Sequence, residues 1–387
     1  MIAERVSSFG ETVFTEFSRL AVEHKAVNLG QGFPNFDGPK FVLDAAAEAM
    51  GAGHNQYARM FGLPVLNQAI AARFEKDSGS RVDPEREVTV TSGCTEALAA
   101  SFLGLVNPGD EVILFEPYYD SYRACVVFAG AVPRFIALRP PDFAFDEGEL
   151  RKAFSKKTRA ILINTPHNPT GKVFTRAELE LIASLCIEHN AIAITDEVYE
   201  KILFDAEHVR MATLPGMCER TVTLSSLGKT FSLTGWKIGW SIAPPELTRG
   251  VRGAHQFLTF ATATPLQHAA AAALGAPESY YQELQAMYRG KRDLLADGLA
   301  RIGFTVHMPR GSYFILADHS EFGFADDVSF CRHLVKEVGV AAIPPTSFYE
   351  RKELGRSLVR FAFCKTDETL REALRRMNML QPMGRLR

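Results

Sequence analysis

No two of the six cysteines in this 387-residue chain stand in a C-x-x-C pair or at a spacing typical of a metal site. That removes a zinc ribbon, a thioredoxin-type redox pair and a disulfide framework as organising features. Free thiols suit a reducing cytoplasm. Histidines such as His54 and His167 are not grouped with carboxylates at ligand spacing, so no metal is expected. A net charge of −2, with no basic tract and no aromatic-basic stripe, argues against nucleic acid as a partner. The opening MIAERVSSFGETVF places charges where a signal peptide needs an apolar run. Gln256–Pro277 carries no formal charge, yet threonines, Pro265, Gln267 and His268 interrupt it. It reads as a buried or interface segment, not a membrane span. Internal repeats, low-complexity tracts and appended modules are also missing.

What is present is ordinary globular composition, 47% hydrophobic and 23% charged. The length suits one large domain and a smaller one, each with its own core. Residues 1–27 read as a helix with Phe14, Phe17, Leu20 and Ala21 on one stripe, and further helices are expected at Lys40–Met50 and Val65–Lys76. Strand-like runs follow at Glu87–Thr91, Glu111–Phe115, Arg159–Asn164, Ala191–Thr195 and Thr221–Leu224, with helical stretches such as Arg176–His189 between them. Such alternation implies crossover connections and a largely parallel sheet, an α/β fold whose ligands collect at the carboxyl ends of the strands. The later pattern is mixed: a long helix Tyr280–Ile302, strands at Thr305–His307, Ser312–Ala317 and Leu358–Cys364, and helices at Asp326–Val338 and Asp367–Met379. It predicts a smaller α+β domain that also gathers the N-terminus.

The strand ends near residues 92, 117, 165, 196 and 226 each deliver polar or aromatic groups. Ser92-Gly93-Cys94-Thr95-Glu96 turns a strand into an alanine-rich helix, whose free N–H groups and dipole make an anion seat. Topology alone places Asn168, Asp196 and Lys229 on one edge. Thr221–Trp240, TVTLSSLGKTFSLTGWKIGW, surrounds Lys229 and Lys237 with small and hydroxyl residues. A lysine among apolar neighbours loses its proton readily and becomes an amine nucleophile toward an aldehyde. Gly228-Lys229-Thr230 is not the tail of a P-loop, because the leading glycine's position holds Thr223. Arg360, inside Leu358-Val359-Arg360-Phe361-Ala362-Phe363, is a guanidinium among apolar residues, and its fork suits a carboxylate.

Ser225-Ser226-Leu227-Gly228-Lys229-Thr230-Phe231 and Gly235-Trp236-Lys237-Ile238-Gly239-Trp240 resemble the cofactor-lysine segment of class I/II aminotransferases. The Asn168-Pro169-Thr170-Gly171 pattern carries the same resemblance, which runs from about Phe14 to Arg360. These are pyridoxal-phosphate (PLP) enzymes of fold type I, and the kynurenine/methionine subgroup is the nearest in flavour. The resemblance implies a large PLP-binding domain at 40–285 and a small domain from 1–39 and 286–387.

It also implies roles. Lys229 would bond the cofactor and move protons, Asp196 would pair with the pyridine nitrogen, and Asn168 and Tyr199 would touch the 3-oxygen. Tyr119 would stack on the ring. Gly93, Cys94, Thr95, Ser226, Lys237 and a neighbouring subunit's Tyr57 would hold the phosphate, making a homodimer with shared sites. Gly32, Asn168, Phe14 and Arg360 would meet the substrate, with Arg360 on its α-carboxylate.

The function implied is amino transfer from an L-amino acid, neutral or aromatic, to a 2-oxo acid. A PLP-dependent C–S β-lyase on the same fold is the alternative, and an N-acyl-diaminopimelate aminotransferase ranks behind. Phe260-Ala261-Thr262-Ala263-Thr264-Pro265 departs from the Phe-His and Cys-Pro steps of the kynurenine enzymes. No second arginine is assigned to a side-chain carboxylate.

Overall fold

The computed structural model describes residues 2–7 and 9–382. In chain order its strands are β1 (Val27–Asn28), β2 (Val88–Thr91), β3 (Glu111–Glu116), β4 (Val132–Ala137), β5 (Thr158–Asn164) and β6 (Ile192–Asp196). They continue with β7 (Thr221–Ser226), β8 (Gly239–Ile242), β9 (Thr305–His307), β10 (Phe314–Asp318), β11 (Val340–Ala341) and β12 (Leu358–Ala362). Strands β2 to β8 form a seven-stranded sheet in the order β2-β8-β7-β6-β5-β3-β4. The pairs from β7 to β4 are all parallel, and β8 alone runs against both of its neighbours. The α/β architecture expected from the alternation is the one observed.

The central strands are apolar on both faces because helices cover both. Leu114, Leu162, Ile194 and Leu224 pack with Ala97, Leu98 and Phe102 of helix Gly93–Leu105. Their sequence neighbours Ile113, Ile161, Ile163 and Ala193 point the other way, onto Leu179 and Ile182 of helix Arg176–Glu188. The period-two alternation thus splits one set of strands between two cores. Thr175 and Glu178 close a capping box at the start of that second helix.

Beyond helix Glu278–Ile302, strands β12, β10 and β9 form an antiparallel sheet with Leu316 opposite Arg360. The N-terminus joins this part of the molecule. Val27 of β1 pairs with Val340 of β11, and the Ala362 N–H donates to the Leu29 carbonyl at 2.7 Å.

Several expectations need correction. The helix read over 1–27 is two helices, Glu4–Ser7 and Val13–Glu23, followed by β1; positions 1 and 8 lie outside the described residues. Thr12 caps the second helix by accepting from the Thr15 N–H, so that helix begins where the apolar stripe begins. Gln256–Pro277 is cut between helices Pro245–Leu258 and Thr264–Leu274. Helix Asp327–His333 passes into a π-turn at Leu334–Val338. Helix Asp120–Phe128 and strands β4 and β8 were not foreseen. Among the described residues, no helix is long and apolar enough to cross a membrane.

Candidate active site

The carboxyl ends of β5, β6 and β7 lie side by side, since Asn164 is in register with Asp196, and Asp196 with Leu224. They open onto a cavity of about 240 Å³. Lys229, on the one-turn helix Leu227–Thr230 after β7, lines it together with Asp196, Asn168, Tyr199, Tyr119, Ser226, Lys237, Gly93, Cys94 and Thr95. Gly32, Phe14 and Arg360 line it from the other side. The residues singled out from the sequence therefore meet in one place, with one exception. Tyr57 is 87% exposed and stands edge-on to Phe260 at 5.7 Å, outside the lining of this cavity.

Asp196 is buried and accepts from the Tyr122 hydroxyl at 2.8 Å and from the Val198 N–H at 3.3 Å. Burial pushes its carboxyl above the usual range, while the hydrogen bonds from Tyr122, Val198 and the Cys94 thiol oppose that rise. No cation forms an ion pair with it among the described residues. Burial also lowers the pKa of Lys229, against the opposing pull of Cys364, Asp196 and Cys94. Its ammonium lies 5.7 Å from the Tyr199 ring centre and 5.8 Å from that of Tyr313. Both phenols are buried and edge-to-face at 5.0 Å, and burial holds each far above the ordinary tyrosine pKa.

At the other end of the cavity, helix Gly93–Leu105 starts with Gly93 at φ +77°, a left-handed value that suits glycine. A Cβ on Gly93 would come 3.1 Å from Lys237 Cε and 3.2 Å from its Nζ. Lys237 itself has φ +55°, and its Nζ donates to Thr95 Oγ1 at 3.4 Å. Free N–H groups, a hydroxyl and an ammonium thus converge where a Cβ would crowd the Lys237 side chain.

Arg360 is almost wholly buried. It donates to Asn168 Oδ1 at 3.1 Å and to the Gly30 carbonyl at 2.8 Å, and its Nε has no partner. Phe314, Phe14 and Phe348 surround the guanidinium at 4.4, 5.1 and 5.1 Å. Burial brings its pKa down to about 10, with Tyr199 and Asp120 opposing. A buried cation without an anion is costly, and among the described residues no carboxylate forms an ion pair with this one where it lines the cavity.

Sequence reasoning missed some of this. The role of Tyr122 is one such case: its hydroxyl holds Asp196. Asn164 fixes the edge, accepting from the Asn168 N–H at 2.7 Å and donating to the Asp196 carbonyl at 2.9 Å. Its signal was a buried amide as the last residue of an apolar strand. The expectation that histidines stay apart from carboxylates also fails. His255 meets Glu96, and His208 gathers with Glu197 and Glu200. In the latter group Arg210 already bridges both carboxylates, so the cluster has its cation.

The profile of the aminotransferase class I and II family matches residues 24–377. The chain is 47% identical to the probable N-succinyldiaminopimelate aminotransferase of Mycobacterium tuberculosis, covering 98% of each protein. It is 40% identical to the methionine aminotransferase of Escherichia coli, covering 97% of each. The solved structure of the Mycobacterium tuberculosis enzyme superposes with a TM-score of 0.96 over 98% of this chain and 100% of that one. A chain so matched along its length, with a lysine, a buried carboxylate and a buried arginine around one cavity, belongs to the class I and II aminotransferases, which move an amino group from an amino acid to a 2-oxo acid.

Proposed function

We propose that the cavity binds pyridoxal 5′-phosphate and that the amino donor is an L-amino acid with a neutral or aromatic side chain. The observation that carries the cofactor reading is Asp196, a buried carboxylate with neutral donors and no cation, facing the same cavity as Lys229. A protonated pyridine nitrogen is the partner it lacks. The Gly93 cradle, where a Cβ would crowd Lys237 and φ favours glycine, fits a phosphate. When bound there, the cofactor supplies an electron sink for the substrate's α-carbon.

The chain's own residues do the rest. Lys229 Nζ, which burial shifts toward its neutral, proton-accepting form, takes the α-proton and returns it later in the cycle. Asp196 would keep a proton on the bound cofactor's ring nitrogen. Asn168 and Tyr199 would hold the cofactor's 3-oxygen, and Tyr119 would pack against its ring. The N–H groups of Gly93, Cys94 and Thr95, with Ser226 and Lys237, hold the phosphate. Arg360 grips the α-carboxylate beside Gly32 and Phe14.

Arg360 is the only guanidinium among the described lining residues, while Phe14, Phe33 and Phe314 supply apolar wall. That favours a neutral or aromatic donor over aspartate. The relative acting on N-succinyldiaminopimelate, 47% identical, favours a second reading with that donor. A panel of amino donors against several 2-oxo acids, N-succinyldiaminopimelate included, decides between them. Pyruvate released from S-substituted cysteines without a 2-oxo acid would instead mark a C–S β-lyase. Borohydride treatment of the loaded protein should leave a pyridoxyl group on Lys229; label on Lys237 would overturn the assignment.

The same reading makes the working unit a homodimer with shared sites. Exposed Tyr57, Phe257 and Phe260 support it, as does the uncharged stretch beside them. Residues 40–285 then serve as the large PLP-binding domain and 1–39 with 286–387 as the small one. Six unbridged thiols support a cytoplasmic setting.

A further inference from the structure

We propose that Lys365 is a positioning residue for substrate binding, acting through the loop Gly30–Phe33. The inference rests on the reading that the Arg360 and Gly32 side of the cavity receives the substrate carboxylate.

Loop 30–33 has an unusual set of backbone partners. Its carbonyls are taken by side chains from the far end of the chain. Arg360 donates to the Gly30 carbonyl at 2.8 Å, and the Tyr313 hydroxyl to that of Gly32 at 2.6 Å. The Lys365 ammonium donates to both remaining carbonyls, Gln31 at 3.0 Å and Phe33 at 2.7 Å. The N–H groups of Gly30 and Gln31 go to Asn28 Oδ1 at 2.9 and 3.1 Å. No sheet ladder holds these residues, so side-chain donors set the loop's shape.

Lys365 is buried, and no carboxylate pairs with it among the described residues. An ammonium is costly to bury, and nothing in general packing explains one at this position. Its charge is spent instead on carbonyl dipoles, with the Phe33 ring at 5.0 Å. The loop it clamps supplies Gln31, Gly32 and Phe33 to the cavity wall. Gly32 lies so close to Phe314 that a Cβ would come within 2.6 Å of its Cζ, so the wall has no slack. The Gln31 amide also reaches Ser18 and the Phe14 carbonyl, which ties the loop to the helix carrying Phe14. Releasing Lys365 would loosen Gly30, and with it an acceptor that aims Arg360.

The test uses the loaded enzyme with Lys365→Met, which keeps the length and loses the donors, and Lys365→Arg, which restores donors. For the methionine variant, KM should rise about tenfold for the amino donor and for 2-oxoglutarate or pyruvate alike, with kcat within about threefold. Hydrogen–deuterium exchange over residues 29–34 should speed up, and the arginine variant should recover part of both effects. If the methionine variant fails to fold, Lys365→Gln, with one N–H donor group left, replaces it. Unchanged KM, or unchanged exchange in the loop, would overturn the proposal. Because exchange is read without turnover, an error in the substrate assignment would leave that arm intact.

Discussion

Arg360 and Asn168 share a hydrogen bond of 3.1 Å across a sequence separation of 192 residues, linking β12 to the turn after β5. Through it the guanidinium proposed to bind the carboxylate and the amide proposed to face the cofactor are set by one contact. Arg360→Lys keeps a positive charge but loses the planar fork, so KM for the amino donor should rise about 10- to 100-fold with a smaller change in kcat. Arg360→Met should abolish saturation yet leave the thermal midpoint equal or higher, because it removes an unpaired buried charge. Steady-state kinetics and a thermal melt check both. A methionine variant that saturates normally would remove Arg360 from the substrate.

Asp196 and Tyr122 give a graded pair. Asp196→Asn should still bind the cofactor, with turnover falling about 10²- to 10³-fold. Tyr122→Phe removes only a donor to the carboxylate, and turnover should fall by about tenfold. Cofactor affinity is measured beside turnover. Equal losses of both for Asp196→Asn would mean that the carboxylate merely holds the strand end.

Tyr57 supplies a complementation test. If it serves the neighbouring subunit's phosphate, mixing Tyr57→Phe with Lys229→Ala yields hybrid dimers with one doubly damaged site and one intact site. Activity should rise above that of either parent after subunit exchange, with exchange followed by mass. No recovery would place Tyr57 in its own chain's chemistry or in none.

Asp327 gives the pH dependence. It is buried and accepts from the Thr346 N–H at 2.7 Å, and burial raises its carboxyl to about 6. The folded state therefore binds this proton more tightly than the unfolded chain, whose carboxyl titrates near 3.9. Its contribution to stability is greatest below about pH 4, falls as pH rises toward 6, and is flat above that. Asp327→Asn keeps an acceptor and removes the titration. In urea melts the variant should exceed the parent by about 2 kcal/mol at pH 8, with the gap closing toward pH 4. A gap independent of pH would refute the assignment.

Lys229, Asp196 and Asn168 were legible because each follows a strand, and parallel strands bring their ends together whatever the intervening helices do. Arg360 was legible because a guanidinium inside an apolar strand has to be explained. Tyr122 was not, since its hydroxyl finds Asp196 only after a crossover, 74 residues away. Lys365 was silent for the same reason, and its acceptors are backbone carbonyls, which no sequence displays. The first helix was drawn too long because the stripe of Phe14, Phe17 and Leu20 was extended upstream past Gly10, where no apolar period supports it.

The pairing of β1 with β11 has a consequence for how the chain matures during synthesis. The proposed cofactor side of the cavity is built from residues 93 to 237, and the ribosome releases that span well before the end of translation. The substrate side waits. Gln31 needs Lys365, 334 residues later, and Gly30 needs Arg360, 330 later. A nascent chain can thus complete its anion cradle while the loop at its N-terminus still lacks donors, since domains fold as they emerge. On the proposed reading, the capacity to grip a carboxylate arrives last, once β12 and Lys365 have been made and their side chains reach the loop after β1.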